Sequence, residues 1–407
     1  MSNLWSTKTL GELCEKPQYG FTASASLDAM GPRFLRITDL RNGTLDWNSV
    51  PFCACSDDDR EKYRLKTGDI VVARIGATTG KTSLVISPPD AVFASYLIRF
   101  RAKDALNPFF LFFFTQSEDY RAWIDGNKGN NLKGGVNASL LEQIEVTLPP
   151  RPEQEKIAAV LWKIQRAIET EEKLIATARE LKQSAMHQLY TEGLRGEPLK
   201  EAEIGAVLGS WTVGTLEDLC DLRKEVCEPE NAKTKVYVGL EHIDGGLTRL
   251  TRFGNPSQVV SSKNRFYPND ILYGKLRSYL DKAVVAETEG ICSTDILVFI
   301  PKSSVPPDFL VNLIHTREFI DYADRTTHGV NHPRTSWVGL KDFRCAIPSQ
   351  AEREEIAKIL LAIDKKLSIH ERKRVTLQEL FKTMLHKLMT AKIRVNDLDI
   401  DTTEVTS

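Results

Sequence analysis

The stretch Gly76 to Thr82 reads Gly-Ala-Thr-Thr-Gly-Lys-Thr directly after the apolar run Ile70 to Ala73, the residue types of a phosphate-binding loop behind a strand. Such a loop needs four residues between its first two glycines, so that backbone N–H groups can wrap the phosphates, and a helix next, whose N-terminus faces the anion. Here three residues separate Gly76 from Gly80, and Ser83 to Ile86 followed by Pro88 and Pro89 predicts a strand and a breaker. The reading is a glycine-bearing β-turn with an exposed Lys81, not a nucleotide-hydrolysing site. Asp57 and Asp58 sit in the polar run Ser56 to Lys62, a solvated loop rather than an acid–base pair. The seven cysteines, Cys14, Cys53, Cys55, Cys220, Cys227, Cys292 and Cys345, form no Cys-x-x-Cys pair, and no histidine precedes His187. That pattern argues against zinc and for reduced, mostly buried thiols. No dinucleotide, zinc-protease or serine-hydrolase motif is present either. The sequence therefore predicts no catalytic residue and no metal site.

A chain of 407 residues, 42% hydrophobic and 27% charged, predicts two or more soluble globular domains. The start, Met1 to Leu10, lacks an apolar leader core, and the densest apolar stretch, Phe109 to Phe114, is too short to span a bilayer, so a cytoplasmic protein without membrane contact is expected. Charge does not advertise a nucleic-acid partner. Residues 1–148 hold 17 basic and 17 acidic side chains, and residues 197–347 hold 18 and 21. Any phosphate-binding surface must be a local patch.

An internal duplication organises the chain. Pro149 to Arg195 matches Pro348 to Arg394 without a gap at an offset of 199, with identities that include Glu153 and Glu352, Ile157 and Ile356, Leu161 and Leu360, Leu181 and Leu380, and His187 and His386. The larger blocks repeat as well: Trp5, Leu10 and Cys14 recur as Trp211, Leu216 and Cys220, and Gly68 to Ile75 recurs as Asn269 to Leu276. The order is domain, helix, domain, helix, with boundaries at 1–148, 149–196, 197–347 and 348–395 and a tail at 396–407.

Both linking segments have helical periodicity. Ile157, Leu161, Ile164, Ile168, Leu181 and Leu189 in one, and Ile356, Leu360, Ile363, Leu367, Leu380 and Leu388 in the other, recur at spacings that lay them on a single apolar stripe. Pro149, Pro150 and Pro152 suit a first turn, and Ser349 with Glu352 has capping-box spacing. A stripe on a helix of roughly 55 Å needs a partner. The economical arrangement packs the two helices as an antiparallel coiled coil with pseudo-twofold symmetry. Strand character at Leu84 to Ile86, Phe93 to Phe100, Asp270 to Tyr273 and Asp295 to Ile300, with helices at Pro108 to Ala122 and Asp308 to Ala323, makes the repeated domains β-rich and the fold class α+β.

This plan, with helix openings of the form Pro-x-x-Glu-Gln-Glu-x-Ile-Ala at Pro150 to Ala158, closings at Leu181 to Leu189 and Leu385 to Val395, and the stretch Gly68 to Arg74, resembles the specificity subunit of type I restriction-modification systems. The resemblance covers nearly the whole chain and departs from the family pattern at Asn269. It implies a non-catalytic subunit that reads double-stranded DNA, each target-recognition domain taking one half of a bipartite asymmetric site while the helices act as spacer. It further implies two DNA-methyltransferase subunits as partners, with motor-nuclease subunits joining them. S-adenosylmethionine, ATP and magnesium would then belong to those partners and not to this chain. A stand-alone DNA-binding protein on the same scaffold and a protein-interaction adaptor are the alternatives.

Base reading needs donors and acceptors on loops, with cations nearby for phosphates. In the first domain the candidates are Arg74, Lys81, Lys128, Asn130, Asn131, Lys133 and Asn137; in the second they are Lys275, Arg277, Lys282, Arg325, His328, Asn331, His332 and Arg334. Several of these lie where the two copies diverge most, which suits domains that read different half-sites.

Overall fold

The computed structural model describes residues 5–128 and 135–406. The chain divides into two compact units, Met1–Lys173 with Arg372–Ser407, and Leu174–Glu371. Each division falls inside one of two long helices, Arg151–Thr191 and Gln350–Met389.

In the first unit, strand Ser6–Thr9 pairs antiparallel with Glu145–Leu148, so the domain's entry and exit strands are clasped together. Between them a four-stranded antiparallel sheet has the order Gln18–Tyr19, Leu97–Arg101, Asp69–Ala73, Thr82–Leu84, and a two-stranded parallel sheet joins Arg33–Leu35 to Ala91–Phe93. Successive side chains of Asp69–Ala73 point to opposite faces. Ile70 and Val72 enter a core with Phe109 to Phe114, and Val71 and Ala73 enter a second with Leu35 and Phe93. A strand buried on both faces reads as a continuous apolar run.

The second unit repeats this plan. Thr212–Thr215 pairs with Arg344–Ile347, and the sheet order is Cys220–Leu222, Ile296–Pro301, Ile271–Gly274, Ala283–Val285. The parallel pair is Tyr237–Val238 with Gly290–Cys292. The departure at Asn269 is conservative in backbone terms: Gly68 has φ +89° and Asn269 has φ +73°. Asparagine is among the L-residues that best tolerate that region.

Element boundaries differ from expectation at several points. The segment Phe93 to Phe100 belongs to two strands separated by a turn, and each expected domain helix is two, Pro108–Phe114 with Glu118–Asn127 and Pro307–Ile314 with Arg317–Arg325. The breaks are caps, since the hydroxyls of Ser117 and Thr316 accept from the N–H groups of Tyr120 and Phe319. The run expected as a loop after Ser56 is an exposed helix, Asp57–Tyr63, capped by Ser56.

The long helices pair antiparallel within each unit. Ile157 and Leu161 share a core with Leu385 and Leu388, and Lys373 Nζ lies 2.6 Å from the buried Glu171 carboxylate. In the other unit Met186 and Leu189 share a core with Ile356 and Leu360, Lys182 meets Asp364 at 2.7 Å, and Arg179 meets Glu371 at 2.6 Å. Leu181 and Leu380 are corrections to the expected stripe, being 59% and 44% exposed. The inward position at that turn of the central helix belongs to Lys182, whose charge is matched by Asp364 across the pair; on the other helix it belongs to Phe381, which packs on Phe113. Glu352 caps only in part. Its N–H donates to Ser349 at 3.4 Å, but its carboxylate accepts from Trp211 Nε1 at 2.9 Å, as Glu153 accepts from Trp5 Nε1 at 3.2 Å. The tail docks within the first unit: Val395 and Val405 are buried, and Asn107 Nδ2 donates to the Val405 carbonyl at 2.7 Å.

Candidate nucleic-acid interface

In the second domain, strand Ile271–Gly274 runs into a turn whose corners, Arg277 and Asp281, both have left-handed φ, +53° and +52°. Buried His315 braces it, with Nδ1 2.6 Å from Asp281 Oδ1 and Nε2 2.9 Å from the Ala283 carbonyl. The segment before the turn is stitched to a second loop: Arg277 N–H donates to the Pro333 carbonyl at 2.9 Å and Thr335 N–H to the Lys275 carbonyl at 3.0 Å. That loop is a hairpin in which His328 and Arg334 exchange N–H to carbonyl bonds at 2.9 and 3.0 Å. Lys275, Arg277, His328, His332 and Arg334 are thereby gathered at one end of the sheet, with Asn331 exposed near the hairpin tip. Arg325, exposed at the end of its helix, precedes the hairpin.

The electrostatics of this cluster centre on Asp295. Its carboxylate accepts from Arg334 Nε at 2.8 Å and Nη2 at 3.2 Å. The hydrogen bonds from Arg334 hold the Asp295 carboxyl below its usual range; partial burial opposes this, and the charges of Arg334, Lys275 and His332 reinforce it. The same bonds raise Arg334, which stays charged.

The first domain builds the same scaffold with other side chains. Gly76 and Gly80 occupy the corners at φ +81° and +84°, and a strand, Thr82–Leu84, follows the turn. Tyr120 OH donates to the Gly80 carbonyl at 3.0 Å. Val136 N–H donates to the Arg74 carbonyl at 2.9 Å, the counterpart of the Thr335 to Lys275 bond. Arg74 lies over the Tyr19 ring at 5.2 Å, and its Nε makes no hydrogen bond among the described residues. Asn137 is a helix N-cap, its side chain accepting from Leu140 N–H, and Lys128 pairs with Asp125 at 2.5 Å. Asn130, Asn131 and Lys133 lie outside the described residues.

Lys81 and Lys282 correct the expectation of an exposed turn lysine. Both are half-buried and donate to a backbone carbonyl, Leu40 and Leu240 respectively, each at 2.6 Å. They tie the turn to the preceding 3-10 helix, so their first role is to shape the scaffold.

Tyr19, Tyr96, Tyr279 and Asp295 were not among the sequence candidates. Tyr96 and Asp295 are counterparts, since Arg74 N–H donates to the Tyr96 carbonyl at 3.0 Å and Lys275 N–H to the Asp295 carbonyl at 2.9 Å. Tyr96 and Tyr279 are about half exposed beside their turns. Extending the alignment of the two copies past the turn would have paired Tyr96 with Asp295 but would not have marked either as functional. On loops of a braced sheet the first domain thus presents Arg74 with the rings of Tyr19 and Tyr96, and the second presents cations, the Asn331 amide, the imidazoles of His328 and His332 and the Tyr279 ring, the chemistry of phosphate contact and base-edge reading.

Residues 3–180 match the family model for the type I restriction modification DNA specificity domain. The MjaX type I restriction enzyme specificity subunit of Methanocaldococcus jannaschii is 24% identical, covering 96% of this chain and 94% of that one. The EcoDI specificity subunit of Escherichia coli is 21% identical over 54% of each chain. A crystal structure of the type I restriction-modification S subunit from M. genitalium superposes with a TM-score of 0.66 at 16% identity, covering 95% of this chain and 97% of that one.

Proposed function

We propose, from the likeness of residues 3–180 to the type I restriction modification DNA specificity domain and of 96% of the chain to a type I specificity subunit, that this chain is such a subunit and that each of its two domains reads one half of a bipartite asymmetric DNA site. The observation that carries this reading is the duplicated scaffold with divergent loops: the same turn and the same stitched second loop present Arg74, Tyr19 and Tyr96 in one copy and Lys275, Asp295 and Arg334 in the other. Two readers on one backbone plan, with different side chains at matching places, fit two different half-sites.

Under this reading the chain contributes sequence choice and no bond-breaking step. Two methyltransferase subunits, joined by motor-nuclease subunits, supply S-adenosylmethionine, ATP and magnesium chemistry, and the assembly works in the cytoplasm. Support for two equivalent partners comes from the repeat itself, because the helices retain identical exposed residues, Glu180, Leu181 and His187 against Glu379, Leu380 and His386. An exposed residue kept in both copies has no packing reason to persist. The segments 149–196 and 348–395 serve as spacer. Among the described residues no helix is long and apolar enough to cross a membrane.

The test is a domain exchange read by methylome sequencing. Replacing residues 1–148 by the matching segment of a relative should change one half of the methylated sequence and leave the other half and the gap intact. Adding one turn, about 5.4 Å, to both long helices should instead lengthen the gap by about one or two base pairs, since B-DNA rises about 3.4 Å per pair. Alteration of both half-sites by the exchange would refute the reading.

A further inference from the structure

We propose that Arg334 reads a guanine in the half-site of the second domain and that Asp295 is the residue that aims it; this rests on the DNA-reading role proposed above. An arginine guanidinium carries five N–H donors in a rigid plane. Asp295 takes the side-on edge of Arg334, with Nε to Oδ1 at 2.8 Å and Nη2 to Oδ2 at 3.2 Å, and the His332 carbonyl takes one Nη1 hydrogen at 3.4 Å. Three donors are used. One hydrogen on Nη2 and one on Nη1 remain, and with the His332 carbonyl on the Nη1 hydrogen nearest Cδ they lie side by side on the end-on edge.

Two parallel donors match two adjacent acceptors in one plane. In the major groove guanine presents O6 and N7 that way, and no other base offers two neighbouring acceptors. The pairing also argues against a phosphate role. Asp295 cancels most of the charge that would draw Arg334 to a phosphate, while leaving the direction of its free donors fixed. The backbone on both sides is fixed as well, by the Arg334 and His328 hairpin bonds and by the Lys275 N–H to Asp295 carbonyl bond at 2.9 Å. The Arg334 side chain is 43% exposed, enough to reach a groove. Lys275 and Arg277, on the stitched segment, are the cations suited to the flanking phosphates.

Among the described residues the first domain lacks this device at the matching positions. Bridge positions pair Ile75 with Gly135 and Leu276 with Arg334, so Gly135 is the counterpart of Arg334, and Tyr96 is the counterpart of Asp295. The guanine contact is therefore specific to one half-site.

The experiment uses the full chain assembled with its methyltransferase subunits. Methylome sequencing defines the site, and competition binding then uses duplexes in which single guanines of the second domain's half-site are replaced by 7-deazaguanine, which lacks the N7 acceptor. One position should lose about 10- to 100-fold in affinity with the wild-type chain and lose almost nothing further with Arg334→Ala. Arg334→Ala and Arg334→Lys should relax the same position and no position in the other half-site; Asp295→Asn should relax it less. Rescue by Arg334→Lys, with a uniform loss across sequences and a shallower salt dependence in Arg334→Ala, would mark a phosphate contact and overturn the proposal. So would an unchanged half-site in Arg334→Ala. Absence of any bipartite preference in the wild-type complex would overturn the DNA-reading role itself, a result separable from these because it needs no variant.

Discussion

Lys182→Met tests the helix pairing where charge, not hydrocarbon, fills the inward position. Lys182 is 7% exposed and its ammonium lies 2.7 Å from Asp364, whose other oxygen accepts from Thr248 Oγ1 at 2.7 Å. The three groups join the central helix, the C-terminal helix and the loop of the second domain. Removing one partner of a buried ion pair costs about 3 to 5 kcal/mol, because the remaining charge stays desolvated. The lower figure is expected here, since Asp364 keeps the Thr248 hydroxyl. Replacing both partners, Lys182→Met with Asp364→Leu, should cost about 1 kcal/mol, chiefly from the hydroxyl left without its acceptor. With single costs of about 3 kcal/mol each, the two sites must then couple by about 5 kcal/mol. Hydrogen exchange read by mass spectrometry over residues 174–191 and 350–371 gives the local opening free energies of all four chains. Additive costs within about 0.5 kcal/mol would mean that the segments do not pair as described.

Two further outcomes follow from burial. Leu161→Ala and Leu360→Ala, at fully buried positions, should each cost about 2 to 5 kcal/mol, while Leu181→Ala and Leu380→Ala should leave stability within about 0.5 kcal/mol, as measured by urea unfolding. For the thiols, burial pushes Cys14 and Cys345 up to about 12 and Cys53 up to about 11. Iodoacetamide near neutral pH should therefore modify the half-buried Cys55 first and the others only on unfolding. A folded thiol whose pKa is raised leaves stability intact below the unfolded value of about 8.5 and lowers it as pH rises toward the folded value. Urea midpoints that rise with alkaline pH would contradict this.

The sequence makes the duplication, the helical spacers and the β-rich domains legible because each leaves a periodic or repeated signal. Ile157, Leu161, Ile356, Leu360 and Leu388 are buried as their spacing predicts. Leu181 misled because apolar periodicity cannot anticipate a charged inward residue whose partner lies some 180 positions away, as Asp364 does from Lys182, and Leu380 because its neighbour Phe381, which packs on Phe113, takes the inward place. Lys81 misled for a related reason: a turn lysine looks exposed until the carbonyl that captures it, at Leu40, is placed beside it. Asp295 was invisible as a functional residue because its partner, Arg334, is 39 positions on, and only the stitching of two loops brings them together.

The two copies show how one backbone admits divergent surfaces. At the first corner of the turn, a Cβ on Gly76 would meet nothing within 4 Å, and the second copy places Arg277 there in the same left-handed conformation. At the other corner, a Cβ on Gly80 would come within 2.6 Å of Ile124, so a side chain there requires different surroundings. The second copy supplies them: Asp281 occupies that corner and buried His315 receives its carboxylate. The buried aspartates behave alike. Asp69 is forked by Arg101 from one neighbouring segment and Asp270 by Arg223 from another, yet both carboxylates also accept the N–H three residues earlier, at 2.8 Å. What both copies retain is therefore the turn conformation, the buried carboxylate and the stitched second loop, and what varies is the set of side chains standing on them. Under the proposed DNA-reading role, such a scaffold can change the bases it selects by substitution at Tyr96 or Asp295, Gly135 or Arg334, without disturbing the strands that hold its loops in place.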